Sequence, residues 1–589
     1  MKLTNIFKYS ALAAAVIANN AFAGSLPTLP TIGKSGAGFA GGATINGGAS
    51  YLETLPAGET IQVSGQITVA SSDVGKTGDI LIVAKVGNKF FQADQSGWTS
   101  LAVDLNSTSL GIVPYSTGTL PAHFSYSEND LAEGLGIDLT GKTVKVLFGY
   151  APSGAGIRYG KAIKAQVAEL PSSNSTVCPD GETASAAVII GGNRICTLSG
   201  TYTEDLHLTN NFDYVISGAV RIGMDNTSDA KLIIDPGVTT YGQSGNDFIW
   251  IDRGAQIWAN GTKDKPITMT SANDGDATAT TRGEWGGLVI NGNAPINGCS
   301  EGTALCEAAG EGNSGMFGGN DADDNSGSLT YLRVKYAGFL INDLDELNGI
   351  AFQGVGSGTN VDYVQVHNNQ DDGVEFFGGT VNAKHLYLTG NRDDSLDWTK
   401  GWSGSVQHVV IVQGTDTGDQ GFEMDNNGDA PDSSPRALPY ISNVTMIGND
   451  NTDIGMLIRE GTGGHFHNMV VKGFADGCID IDQTETFTVA GTPDNLTGDL
   501  VMTNTVVDCK KSFIEDMDGP WLVEEWFDAQ DGNVELDTGM TNYVNSTEVN
   551  ALESLDPTSI SSFFDEADYV GAVPSTSEDW TAGWTFRPL

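Results

Sequence analysis

Eight carboxylates in one stretch of this chain have the types and spacing to do chemistry. They come in three sets, Asp371, Asp372 and Glu375, then Asp393, Asp394 and Asp397, then Asp419 and Glu423. The sets lie in the aligned segments Asp371-Asp372-Gly373-Val374-Glu375-Phe376, Asp393-Asp394-Ser395-Leu396-Asp397-Trp398 and Asp419-Gln420-Gly421-Phe422-Glu423-Met424, offset by 22 and then 26 residues. Carboxylates at such density serve two chemistries. They bind hard cations, Ca2+ above all, which takes six to eight oxygen ligands in flexible geometry. They also work as acid and base on a glycosidic bond when two carboxyls stand about 5 to 10 Å apart.

The elements that must position them are short. Asn348-Gly349-Ile350-Ala351-Phe352 is an earlier copy of the pattern and Asp476-Gly477-Cys478-Ile479 a later one, and a strand-like run such as Val364-Gln365-Val366 or Leu386-Tyr387-Leu388 precedes each copy. Short apolar strands with Gly, Asn and Asp corners, repeating every few tens of residues, mark a solenoid. They predict a parallel β-helix. Successive rungs then stack about 4.8 Å apart. Alternation along each strand sends Val374, Phe376, Leu396 and Trp398 inward and the acids outward. Two columns result, Asp371/Asp393/Asp419 and Glu375/Asp397/Glu423. Like charges at that spacing repel by about 0.9 kcal/mol in water and about 3.5 kcal/mol at an effective dielectric of 20. Screening, protonation or a cation between rungs must relieve them.

Other candidates are weaker. Asp321, Asp323 and Asn325 alternate as in the start of a D-x-D-x-N calcium loop, but the glycine comes one position late and no glutamate follows at EF-hand distance. Asp425, at the head of Asp425-Asn426-Asn427-Gly428-Asp429, reads equally as ligand or turn. Arg392 and Lys400 flank the acidic columns and are the nearby cations that a lyase could use as base. His465 and His467 share a face, whereas His367, His385 and His408 sit in rung strands where packing is the expected role. Trp398 and Trp402 are aromatic candidates for stacking on sugar rings, and Trp398 aligns with inward Phe376. No G-x-S-x-G elbow and no phosphate-binding loop is present.

Composition sets the frame. The 589 residues carry a net charge of −45, which opposes direct contact with nucleic acid or anionic lipid. Lys2 and Lys8, the apolar run from Ala11 to Ile17 and Ala21-Phe22-Ala23 have the layout of an export signal over residues 1–23. No later apolar run approaches the roughly 20 residues of a membrane span. Export permits disulfides, and the six cysteines pair by position as Cys178 with Cys196, Cys299 with Cys306 and Cys478 with Cys509. Zinc is the rival reading of these cysteines, without C-x2-C spacing to support it.

Residues 24–50 read as a flexible leader. Residues 51–170, with about eight short strands and frequent turn signals, read as an immunoglobulin-like β-sandwich. Residues 177–520 form the expected β-helix and 521–589 a cap for its last rung. The chain is thus expected to be all-β, an N-terminal sandwich followed by a parallel β-helix with a C-terminal cap.

The segments Lys231 to Gly237, Phe248 to Ile257, Pro266 to Ser271 and Trp285 to Ile290 resemble the opening coils of a family of bacterial right-handed β-helix proteins. The resemblance continues through Asp321 to Gly327, Phe376 to Asn382 and Phe422 to Asn426, and ends at Asp568 to Ala572 and Trp580 to Trp584. In layout, size and acidity the chain also resembles the surface-layer proteins of marine Gram-negative bacteria. That resemblance implies self-association into a calcium-dependent two-dimensional lattice on the outer face of the outer membrane, with Ca2+-bridged contact to lipopolysaccharide. The alternatives are a secreted polysaccharide lyase or hydrolase, and a polysaccharide-binding adhesin.

Overall fold

The computed structural model describes residues 28–29, 31–32, 36–45, 54–55, 61–87, 89–101, 112–137, 139, 142–167, 177–182, 184–188, 193–300, 303–342, 345–515 and 519–587. The export signal expected over residues 1–23 lies outside them. The chain divides into two compact units, one up to residue 174 and one carrying nearly all of the remainder.

The first unit contains a four-stranded antiparallel sheet, including Gly38–Ile45, Ile61–Thr68 and His123–Glu128, and a nine-stranded sheet built around Thr77–Val86 and Thr143–Pro152. Val63 and Ile67 of the first sheet share one core with Ile82 and Phe148 of the second. Gly65 makes room for the facing sheet: a Cβ there would lie 2.3 Å from the Phe148 ring. Residues Gly38–Ile45 fall in the segment expected to be a flexible leader. They instead pair along their whole length with Ile61–Thr68 and bury Phe39 and Ala43. Their small residues gave no alternation to read, although the strand partner supplies it.

The second unit is the expected solenoid. Among the described residues, 26 strands join in a single ladder, parallel everywhere after its first pair. One interior column runs Ile290, Phe352, Phe376, Trp398, Met424, Ile458 and Ile481 in direct register. Phe352 and Phe376 stack at 5.3 Å, as do Phe376 and Trp402 at 4.2 Å. Such columns bury a continuous apolar core that no single rung could bury alone. All three expected disulfides are present: Cys178–Cys196, Cys299–Cys306 and Cys478–Cys509.

A line of residues in the left-handed region marks the bends, Tyr331, Tyr363, His385, His408, Asn443 and Asn468 within rung strands and Asn504 between Leu500–Thr503 and Val506–Asp508. Parallel pairing resumes on both sides of the bend. Asparagine tolerates this conformation. The aromatic members recover part of its cost by stacking, Tyr331 on Tyr363 at 4.5 Å, Tyr363 on His385 at 4.1 Å and His385 on His408 at 4.8 Å. His385 and His408 are therefore packed, and His367 is buried, with a 2.8 Å bond to Thr389 and a contact with the Phe586 ring at 5.1 Å.

The segment 521–589, expected to cap the last rung, divides in two. Helix Val523–Asp528 buries Val523, Trp526 and Phe527 in the solenoid core at its C-terminal end. From about residue 536 the chain turns back and lies along the bends of the rung strands. Gln365 donates to the Phe586 carbonyl and accepts from its N–H, both at 2.7 Å. Gln407 does the same for Asp565, and Asn468 for Leu555. The repeat is lost here because a strap forms no rung of its own.

Candidate metal centre

Strands Val374–Phe377, Leu396–Thr399 and Phe422–Met424 place Glu375 opposite Asp397 and Asp397 opposite Glu423, so this expected column is present. The Asp371/Asp393/Asp419 column is longer than expected. Asp419 donates its N–H to the Asp393 carbonyl, Asp453 to Asp419 and Asp476 to Asp453. A third column lies between them. The Asp372 carboxylate accepts the N–H of Asp394 at 3.0 Å, and the Asp394 carboxylate accepts that of Gln420 at 2.7 Å. One rung earlier the Asn348 side-chain oxygen accepts the N–H of Asp372 at 3.2 Å.

These acids point away from the solenoid core yet do not face solvent. Asp371, Asp372, Glu375, Asp394 and Asp397 are each no more than 8% exposed. Their cover includes residues inserted between rungs. The 3-10 turn Glu311–Asn313 brings Glu311, and strand Asp345–Leu347 brings Glu346. Asn348 donates to both Glu311 at 3.0 Å and Glu375 at 2.6 Å. A satellite apolar cluster that includes Phe317, Leu347, Ala351 and Phe377 packs beside the acids. The expectation of an open acidic face is thereby corrected. Alternation decided which side of the strand the acids leave from, and the insertion, remote in sequence, decided that this side is covered.

Burial, followed by the negative charges of Glu346, Glu311 and Asp393, pushes the Asp371 carboxyl up to about 9. Burial also holds Asp372, Glu375, Asp394 and Asp397 well above the ordinary carboxylate range, with their acidic neighbours adding to it. At the more open end, burial and then Asp393 and Asp453 push Asp419 up to about 7. Burial also raises Glu423 to about 7, although Arg459 opposes the shift. Glu423 and Asp425 both pair with Arg459 at 2.9 Å. Asp425, expected as a ligand or a turn residue, is thus committed to an arginine.

Three groups of oxygens lie close enough to share an ion. One oxygen each from Glu346, Asp371 and Asp393 falls within 4.8 Å of the others, as do those of Asp372, Asp393 and Asp394, and those of Asp372, Glu375 and Asp397. Oxygens on one Ca2+ at about 2.4 Å can be no more than about 4.8 Å apart. The donors are all hard oxygens, which suits Ca2+ over zinc. Oδ1 of Asp397 is buried and has no hydrogen-bond partner among the described residues, an uncommon state for a carboxylate oxygen.

The second expected cluster is not brought together. The Asp321 side chain accepts the N–H of Asp323 at 3.2 Å, Asp323 accepts from the Ser357 hydroxyl at 3.0 Å, and Asn325 accepts the N–H of Gly327 at 2.9 Å. These are turn and bracing bonds. Asp321 also lines a cavity of about 430 Å³ with Asn226, Arg253, Asn293, Leu305 and Glu307. Trp398 and Trp402 are fully buried and offer no face to a sugar. His465 stacks on Tyr440 at 4.6 Å, and His467 bonds Thr503 at 2.8 Å through Nδ1 while its Nε2 is buried without a hydrogen-bond partner among the described residues. Arg392 is exposed and Lys400 half-buried.

Sequence reasoning missed Arg459, Asp453, Glu346 and Glu311. Asp453 was within reach, since Asp453-Ile454-Gly455-Met456 continues the repeat. Glu346 and Glu311 carry no repeat signal, because only the folded insertion brings them to the ladder.

The class defined so far is a parallel β-helix with an acid-lined flank. Residues 200–585 match the model of the pectate-lyase like beta helix domain, and the chain belongs to that family of right-handed parallel β-helices. Among solved structures, similarity extends to the catalytic domain of a GH87 alpha-1,3-glucanase variant in complex with tetrasaccharides, at 9% identity, 84% of this chain, 97% of that chain and a TM-score of 0.27. A second such variant complex has 10% identity, the same coverage of each chain and a TM-score of 0.22. At these scores neither likeness carries an argument. No curated protein matches the chain. Among the described residues no helix is long and apolar enough to cross a membrane.

Proposed function

We propose that this chain is an exported β-helix protein that acts on acidic polysaccharide through Ca2+ held on the carboxylate ladder, as a lyase or hydrolase. The observation that carries the reading is a ladder of closely spaced hard-oxygen donors on the flank of a pectate-lyase-like β-helix. Bound Ca2+ would neutralise a sugar carboxylate and orient it. At the open end, the carboxyls of Asp419 and Glu423, raised to about 7, are suited to proton transfer near neutral pH. Exposed Arg392 is the available base for β-elimination. This order reverses the sequence-based one, in which the surface layer came first; the family match favours the polysaccharide reading. The test is incubation with polygalacturonate and with alginate, with and without Ca2+, following ultraviolet absorbance of unsaturated products and reducing ends. Neither product nor calcium-dependent binding of either polymer would end this reading.

A second reading, the calcium-dependent surface layer on the outer membrane, is favoured by the net charge of −45. That field keeps copies apart until divalent ions neutralise it. In this reading the partner is a second copy of the chain, and lipopolysaccharide is the Ca2+-bridged support. Electron microscopy of the purified chain at millimolar Ca2+ tests it, and a protein that stays monomeric there excludes it.

A further inference from the structure

We propose that the first unit carries a docking surface for a linear acidic polysaccharide, a row of three lysines on the outer face of its nine-stranded sheet. The choice of polymer rests on the reading that the chain acts on acidic polysaccharide; the surface itself rests on register and charge. Lys85, Lys145 and Lys164 stand directly opposite one another on three neighbouring strands, Thr77–Val86, Thr143–Pro152 and Ile163–Val167. Directly opposed residues of an antiparallel pair share one face of the sheet. Their sequence neighbours Ala84, Val144, Val146 and Ala165 fill the core between the two sheets, so the lysines leave on the outer side. On that side the row continues into Phe90 and Leu101. The Lys85 ammonium lies over the Phe90 ring at 5.4 Å, and Phe90 and Leu101 join Val83 and Leu147 in a separate apolar cluster. The cluster keeps water from one flank of the row, which strengthens its field.

Like charges set directly opposite each other destabilise a sheet. Burial, then the positive charges of Lys85 and Lys164, holds the Lys145 ammonium below its ordinary value. Lysines on edge strands discourage unwanted pairing, but Thr77–Val86 and Thr143–Pro152 have partner strands on both sides and no edge to protect. An anion laid along the row converts the repulsion to attraction. The distribution of charge along the chain points the same way. Lysine and arginine equal aspartate and glutamate in number through residue 174, so the whole net charge of −45 falls on the residues after it. A polyanion is repelled by the second unit and not by the first. Neighbours in the row, with Cβ atoms about 4.5 to 5.5 Å apart, form a straight line of cations. A polymer with a carboxylate on each sugar can follow that line, whereas a single small anion leaves part of it unmatched. Holding the polymer on the first unit raises its local concentration for the second.

The test is binding of the full chain to polygalacturonate and to alginate, by calorimetry, with a chelator present so that no calcium bridges polymer to the carboxylate ladder. The wild type should bind at least one of the two at low salt, lose it as salt screens the row, and ignore neutral dextran. Lys85→Gln, Lys145→Gln and Lys164→Gln together should weaken the affinity at least tenfold without lowering the melting temperature, since they remove repulsion. The same three positions changed to arginine should keep the affinity. Lys263→Gln, Lys265→Gln and Lys511→Gln, which remove as many charges from exposed positions of the second unit, should keep it too. Undiminished binding by the glutamine variant of the row, or no binding of either polymer by the wild type, overturns the surface. So does calcium-free self-association that this variant abolishes, because the row would then face the acidic second unit of another copy. Binding that depends on the row but leads to no cleavage upholds the surface and counts against the proposed activity alone.

Discussion

Glu375 lies directly opposite Asp397 in the parallel ladder, and the Asp397 Oδ1 beside it is buried without a hydrogen-bond partner. Two stacked carboxylates removed from water repel each other and lose hydration together, so both are driven toward the protonated form. Under the proposed calcium binding, one divalent ion would replace those protons, hold the pair in place and satisfy the orphaned oxygen.

Calcium should therefore stabilise the protein by mass action. At a free concentration a hundredfold above the dissociation constant, one site contributes about 2.7 kcal/mol. Asp397→Asn should reduce that gain while making the chelated protein no less stable, since it removes one member of the repulsive pair. Thermal unfolding with and without Ca2+ measures both effects. A gain unchanged by the substitution would remove Asp397 from the site.

The pH dependence follows from two sets of groups with opposite signs. Asp419 and Glu423 at about 7 and Asp371 at about 9 are raised above their unfolded values. The folded chain then binds more protons than the unfolded one, and their contribution, full below about pH 4, is lost as pH rises through 7 and on to 9. Burial lowers His367 and His408 to about 3 and His467 to about 4. Their contribution is present above the unfolded value of about 6.5 and is lost as pH falls below it. Chelated protein should thus lose stability on both sides of neutrality, and calcium-loaded protein only on the acid side. Denaturant titrations at pH 5, 7 and 9 with and without chelator check this.

The strap makes a prediction about particular side chains. Gln365 is fully buried and exchanges two hydrogen bonds with the backbone of Phe586. Gln365→Ala leaves that backbone N–H and carbonyl without partners, at a cost of about 1 to 3 kcal/mol. The loss should appear as faster exchange and earlier proteolysis near the C-terminus, while the rung strands remain protected. Uniform loosening of the whole solenoid would contradict a separate strap.

What was legible beforehand followed from periodicity. The columns Glu375/Asp397/Glu423 and Asp393/Asp419 lie in local repeats, and stacking by pairing register makes sequence alignment equivalent to spatial alignment. Cysteine pairing was legible for a similar reason, as each pair closes a short loop. The burial of the ladder was not. Glu311, Glu346 and Leu347 reach it through a non-repeating insertion, and no pattern within that segment reports what it lies on. The strap was hidden likewise. Gln365, Gln407 and Asn468 look like ordinary polar rung residues until their backbone partners, more than 80 residues away, are in place.

Arg459 offers a test in which two readouts move in opposite directions. Its guanidinium pairs with Glu423 and Asp425, and all three side chains are at most 30% exposed. Arg459→Met removes charge-assisted hydrogen bonds, each worth about 1.5 to 3 kcal/mol, and should destabilise the chelated protein by about 2 kcal/mol. It also deletes a positive charge at the end of the proposed calcium-binding ladder, so calcium affinity at neutral pH should rise several-fold. The carboxyl of Glu423, no longer held down by the guanidinium, should titrate higher than in the wild type, and any activity that depends on it should shift its pH profile to more alkaline values. Calorimetric titration and a pH–activity profile of the variant, beside its unfolding curve, separate the two effects. If calcium binding weakens in step with stability, Arg459 is a structural brace for the site and does not compete for it.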